Sequence, residues 1–198
     1  MEKSKIDNVF VLCTGRCGST TFIKACKHIK NYTARHESRS HLCGAERLNY
    51  PTGHIEADNR LSWFLGRLDK KFGKSACYVH LKRNIKKTAE SFVKRYKKGI
   101  INAYRKEVLL NYEDEKKPIE ICKDYCRTVN SNIELFMRDK PMNMTVRVNS
   151  FESHFSDFWN FIGAKGDISM ALNELENRYN TSEESDKSYV KNILRKLR

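Results

Sequence analysis

The feature that most constrains this chain is the passage from an unbroken apolar run into a glycine-bearing turn near its start. Asn8-Val9-Phe10-Val11-Leu12-Cys13 is short, β-branched or aromatic, and stops at Thr14-Gly15. A strand that is apolar throughout, rather than at every second residue, belongs in a parallel sheet covered on both faces. After the turn, Phe22, Ile23, Cys26 and Ile29 recur at helical spacing, which predicts a helix from Ser19 to about Lys30.

The turn itself, Thr14-Gly15-Arg16-Cys17-Gly18-Ser19-Thr20-Thr21-Phe22, has the make-up of an anion cradle. Glycines let the backbone approach a phosphate, the free N–H groups of a helix N-terminus point at it, and the helix dipole favours negative charge. Ser19, Thr20 and Thr21 add hydroxyl donors, and Arg16 adds a forked cation. It is not a Walker A loop, which requires Lys before the hydroxyl residue; here Ser19 follows Gly18 directly.

The rest of the chain alternates in the same way. A short strand is predicted at Tyr32–Arg35. A helix follows through Leu61, Phe64, Leu65, Leu68 and Phe72, capped by Asp58 or Asn59. Ala76–Leu81 reads as a strand, followed by a helix face at Ile85, Ala89, Phe92, Val93 and Tyr96. The stripe Ile119, Cys122, Cys126, Val129, Ile133, Phe136 predicts a long core-facing helix. Met144–Val148 is a further strand, and Phe155, Phe158, Trp159 and Ile162 mark a helix ending at Gly163. Trp63 and Trp159 both fall on apolar helix faces and are expected in the core. Strands alternating with helices imply an α/β fold with a mostly parallel central sheet.

The 198 residues suit one domain, 1–198, in which residues from about 181 form a charged surface helix or tail. No stretch approaches the ~20 apolar residues of a membrane span, and Met1–Asp7 lacks a signal-peptide core. Seven cysteines without a CxxC pair fit reduced thiols in the cytoplasm. His36, His41, Cys43 and His54 lack the close spacing of a zinc site, so no metal is expected. The 38 Lys and Arg against 24 Asp and Glu leave +14 formal charges, which points to an anionic partner.

The Thr14–Phe22 segment resembles the 5′-phosphosulfate loop of sulfotransferases that use 3′-phosphoadenosine-5′-phosphosulfate (PAPS), in which Arg at the position of Arg16 is typical of carbohydrate-type members. A second motif agrees: Tyr78-Val79-His80-Leu81-Lys82-Arg83 closes a strand, and Ser91 follows eight residues later. In that family an Arg and a Ser at this spacing hold the 3′-phosphate. The resemblance covers residues 8–100 and implies a P-loop NTPase-like sulfotransferase architecture. It also implies donor contacts from Arg16, Cys17, Gly18, Ser19, Thr20, Thr21, Arg83 and Ser91. Independently of it, strand carboxyl ends line the crevice of an open α/β sheet, so Lys82 and Arg83 can meet an anion held by the first loop. The Arg-Lys-Gly loop of many members has at most a remnant in Ala164-Lys165-Gly166-Asp167.

The implied reaction moves a sulfuryl group to a hydroxyl or amine acceptor, with Arg16 neutralising the bridging and leaving oxygens. A general base must face the acceptor. Glu37 is the first candidate, followed by Glu56 and His36. Two other functions are compatible with the composition: a nucleic-acid-binding protein using Lys94-Arg95-Tyr96-Lys97-Lys98 and Lys191–Arg198, or a degenerate P-loop kinase. The acceptor, a glycan or a small metabolite, is not written in the sequence.

Overall fold

In the computed structural model, which describes residues 6–110, 117–177 and 179, the first apolar run forms β1 (Asn8–Leu12), buried at every residue. β2 (Thr33–His36), β3 (His54–Ala57), β4 (Cys77–Lys82) and β5 (Asn143–Arg147) complete one sheet in the order β2-β3-β1-β4-β5. Every pairing is parallel. Successive side chains of a strand point to opposite faces, and both faces of β1 are covered. Val9 and Val11 pack into one apolar layer with Phe22, Phe155 and Phe158. Phe10 and Leu12 enter a second layer with Tyr78, Phe92 and Tyr125. Burial on both sides is why the run shows no polar alternation.

The first layer is built by α1 (Ser19–Cys26), α6 (Phe151–Phe161) and α7 (Ile168–Glu176); the second by α2 (Leu65–Phe72), α3 (Ile85–Val93) and α5 (Pro118–Met137). A short helix, α4 (Gly99–Ala103), and a wide turn at Tyr104–Val108 follow α3 in the chain. The chain steps from β1 out to β2, returns to β3 beside β1, and then crosses to β4 on the other side. β1 is therefore where the winding reverses, and the crevice outside the strand carboxyl ends opens there.

Several local expectations are corrected. The helix expected through Leu61–Phe72 is broken: Asn59–Trp63 is a 3₁₀ turn, and α2 starts only at Leu65. Asp58 does cap, but it caps that turn, accepting from the Arg60 N–H at 2.8 Å. The break turns Trp63 off the apolar face, leaving it 44% exposed, whereas Trp159 is buried. β3 carries His54 and Glu56, polar residues that conceal a strand from a hydrophobicity pattern. They lie two apart on one face, and His54 Nε2 is 2.9 Å from Glu56 Oε2. α1 stops at Cys26 rather than near Lys30, and α7 is a further helix beyond those the periodicity predicts. The charged segment 181–198 lies outside the described residues. Among the described residues no helix is long and apolar enough to cross a membrane.

Candidate functional site

The loop from β1 to α1 is held in an unusual backbone conformation. Gly15 (φ 81°), Arg16 (φ 57°) and Gly18 (φ 84°) all occupy the left-handed region. At Gly15 a Cβ would lie 3.0 Å from Asn59 Nδ2, a tight contact that adds to the torsional reason for glycine there. Arg16 carries its side chain in the same region at a cost of about 1–2 kcal/mol, the kind of strain that clusters at functional sites. Three elements fix the loop. The Ser62 hydroxyl donates to the Cys13 carbonyl at 3.2 Å, the Tyr125 hydroxyl to the Thr14 carbonyl at 2.8 Å, and Arg83 Nη1 to the Arg16 carbonyl at 3.0 Å.

Arg16 Nε donates to Ser91 Oγ at 3.0 Å. The loop arginine, the arginine just past β4 and the serine within α3 thus form one cluster, although the last two lie 67 and 75 positions from the first. Arg95, one helical turn beyond Ser91, joins it. Its Nε and Nη2 are sealed from solvent and have no hydrogen-bond partner. Burial, and then the charges of Arg95 and Arg83, pull the Arg16 guanidinium below its ordinary pKa. Neither Arg83 nor Arg95 pairs with a carboxylate among the described residues. Like charges at low dielectric repel strongly, and an anion is what relieves that repulsion.

The remaining candidates separate clearly. Ser19 Oγ lies 2.9 Å from His36 Nε2, which brings the end of β2 to the start of α1. Glu37, next in sequence, has left-handed backbone (φ 50°) and an ion pair with Arg60 at 3.0 Å. Glu56 is wholly buried, and its oxygens accept from the Ser38 N–H at 2.7 Å and the Ser38 hydroxyl at 2.6 Å, besides the His54 contact. It braces β3 against the turn after β2 and exposes no surface to solvent. Cys17 turns its thiol inward beside Cys13, so only its backbone N–H is available to a ligand. The Thr21 hydroxyl donates to the Asn177 carbonyl at 3.3 Å. Thr20 sits half-buried in the first turn of α1.

Two expectations about cations change. Lys82 pairs with Glu134 of α5 at 2.5 Å, so it is not directed to the loop. Ala164–Asp167 lies against the far end of α1: the Lys165 carbonyl accepts from the Lys30 N–H at 2.6 Å, and Gly166 bridges to Ile29. Conversely, Arg95 sits in a run that reads as a solvated basic face. The signal that marks it out is its spacing of four from Ser91, which puts both on one helical face. Nothing local marks Ser62 or Tyr125 as supports of the loop.

No protein-family model matches the sequence, and no curated protein does. Among solved structures, the chain is similar to the sulfotransferase domain from the curacin biosynthetic pathway. The two share 12% identity with a TM-score of 0.61, over 89% of this chain and 80% of that one. The fold is thus that of a sulfotransferase-like α/β domain with a five-stranded parallel sheet.

Proposed function

We propose that this chain is a sulfotransferase that moves a sulfuryl group from PAPS to a hydroxyl or amine acceptor, such as a glycan or small metabolite, in the cytoplasm. The observation that carries the reading is the joining of Arg16, Ser91 and Arg83 by hydrogen bonds of 3.0 Å at the carboxyl ends of adjacent strands. A donor with phosphate groups at both ends of a nucleoside needs two such anchors in one crevice. PAPS carries roughly four negative charges near neutral pH, which suits a cluster in which neither Arg83 nor Arg95 pairs with a carboxylate among the described residues.

The residues fit that donor. Arg16, the Ser19 and Thr20 hydroxyls and the N–H groups from Cys17 to Thr21 line the loop and first helical turn, where an anion is favoured. Arg83 and Ser91 form the second anchor. The donor supplies a sulfuryl group bound to phosphate through an anhydride oxygen. Arg16 stabilises negative charge on the leaving phosphate, since catalysis of such transfers rests mainly on positioning and electrostatics. His36, already hydrogen-bonded to Ser19, takes the acceptor proton; Glu37, tethered by Arg60, is the next candidate. Asn59 against Gly15 and the Tyr125 bond to Thr14 keep the loop in its receptive shape.

The test is binding followed by transfer. 3′-Phosphoadenosine-5′-phosphate should raise the unfolding temperature without Mg²⁺, and labelled sulfate from PAPS should appear on a member of a pooled hydroxyl and amine library. Mg²⁺-dependent ATP binding in place of this would point to a kinase, and steeply salt-dependent duplex binding to a nucleic-acid role.

A further inference from the structure

Arg95 belongs to the basic run Lys94-Arg95-Tyr96-Lys97-Lys98, yet it behaves unlike its neighbours. Lys94, Lys97 and Lys98 are exposed, whereas Arg95 is drawn in, with Nε and Nη2 sealed from water and unpartnered. It lies just past α3, its N–H bonded to the Phe92 carbonyl at 2.8 Å, one turn from Ser91. Ser91 in turn contacts Arg16 Nε, and Arg83 contacts the Arg16 carbonyl. Buried guanidinium groups are normally paired, because an unpaired buried charge is costly. An arginine in this position either imposes a defect on the fold or waits for a counter-ion.

We infer that Arg95 is a further anion-binding residue, and that Arg83, Ser91 and Arg95 together receive a phosphomonoester dianion. Within the proposed function, on which the identity of the ligand rests, that group is the ribose 3′-phosphate of the donor. A monoester carries about −1.5 to −2 charge near neutral pH, so it compensates two guanidiniums where a diester compensates one. The forked donors of Arg95 also give the site geometric selectivity that a lysine lacks. The sequence itself thus supplies the second anchor with a cation from the end of α3.

The experiment compares wild type, Arg95→Met, Arg95→Lys and the control Lys94→Gln. Calorimetry follows 3′-phosphoadenosine-5′-phosphate, adenosine 5′-phosphate and inorganic phosphate, and unfolding temperatures are read without ligand. Wild type should prefer the 3′-phosphorylated nucleotide, and Arg95→Met should lose about 30-fold in affinity for it, the equivalent of one charged hydrogen-bond group. Affinity for adenosine 5′-phosphate should change less than about two-fold, and Lys94→Gln should change neither. Arg95→Lys should fall between and serves if Arg95→Met does not fold. Without ligand, Arg95→Met should unfold at the same or a higher temperature, because a partly buried cation that repels its neighbours has been removed. A structural role predicts a lower one.

If wild type keeps its preference and both Arg95 variants match it, Arg95 is not a ligand and the donor reading stands. If wild type binds phosphate through Arg95 but ignores both nucleotides, the phosphate site stands and the donor reading falls. If no phosphate compound binds wild type, both fall.

Discussion

Arg83 Nη1 donates to the main-chain carbonyl of Arg16 at 3.0 Å. One guanidinium therefore clamps the strained loop and contributes charge to the cluster. Because Arg16 Nε reaches Ser91, the loop, the end of β4 and α3 form one connected unit.

Arg83→Ala should act twice. It removes a charged hydrogen bond worth about 1.5–3 kcal/mol, so the unliganded protein should unfold earlier, and it should weaken 3′-phosphoadenosine-5′-phosphate binding by at least ~10-fold. Thermal melts with and without that nucleotide separate the two effects. Unchanged melts in both conditions would remove Arg83 from the site.

Gly15→Ala and Gly18→Ala should differ even though both glycines have positive φ. At Gly18 the nearest atom to a Cβ is Val148 Cγ2 at 3.5 Å, ordinary contact, so the change costs the torsional penalty of about 1–2 kcal/mol. At Gly15 the Cβ also presses on Asn59 at 3.0 Å, which packs against the loop. Urea unfolding should rank Gly15→Ala as the less stable variant. The reverse order would mean that Asn59 yields easily.

His36→Asn should lower kcat by about 10²- to 10⁴-fold, the range for loss of a general base, with little effect on nucleotide affinity. Glu37→Gln should lower it less. Glu56→Gln should act on stability, because its oxygens are engaged by Ser38 and His54 inside the sheet. A larger kcat loss for Glu37→Gln than for His36→Asn would move the base to Glu37.

His80 gives a pH prediction. On β4 it is buried, and its Nε2–H donates to Asn130 Oδ1 at 3.0 Å. Burial pushes its pKa down to about 4. The unfolded chain binds a proton at a pKa of about 6.5, so below that pH the unfolded state gains protons that the folded state refuses. The stability contributed by neutral His80 is present above pH ~6.5 and is lost as pH falls toward 4, by up to about 3 kcal/mol. Urea midpoints at pH 7.5 and 5 should differ more for wild type than for His80→Gln. Equal differences would assign the acid sensitivity elsewhere.

The legible parts of this chain are those in which one residue type answers to one local force. The apolar run at β1 announces burial on both faces. The long stripe from Ile119 to Phe136 announces α5. The glycines after β1 announce a tight strand-to-helix turn, and Gly15 and Gly18 do adopt positive φ there. β3 escaped because its polar residues satisfy one another within the sheet, and a hydrophobicity pattern cannot register a buried His54–Glu56 pair. Trp63 leaves the core because the turn Asn59–Trp63 interrupts the helical phase that its neighbours suggest.

Local sequence determined the alternation of strand and helix, and with it the loop that meets the N-terminus of α1, because periodicity and backbone torsion act over a few residues. Which side chains share the crevice was decided only by the tertiary structure. Arg16, Arg83, Ser91 and Arg95 meet because parallel pairing of β1 with β4 and the packing of α3 bring distant positions together. The same packing turns Glu56 and Lys82 toward other partners, and charge energetics at that range depend on distance and burial, which no linear spacing records.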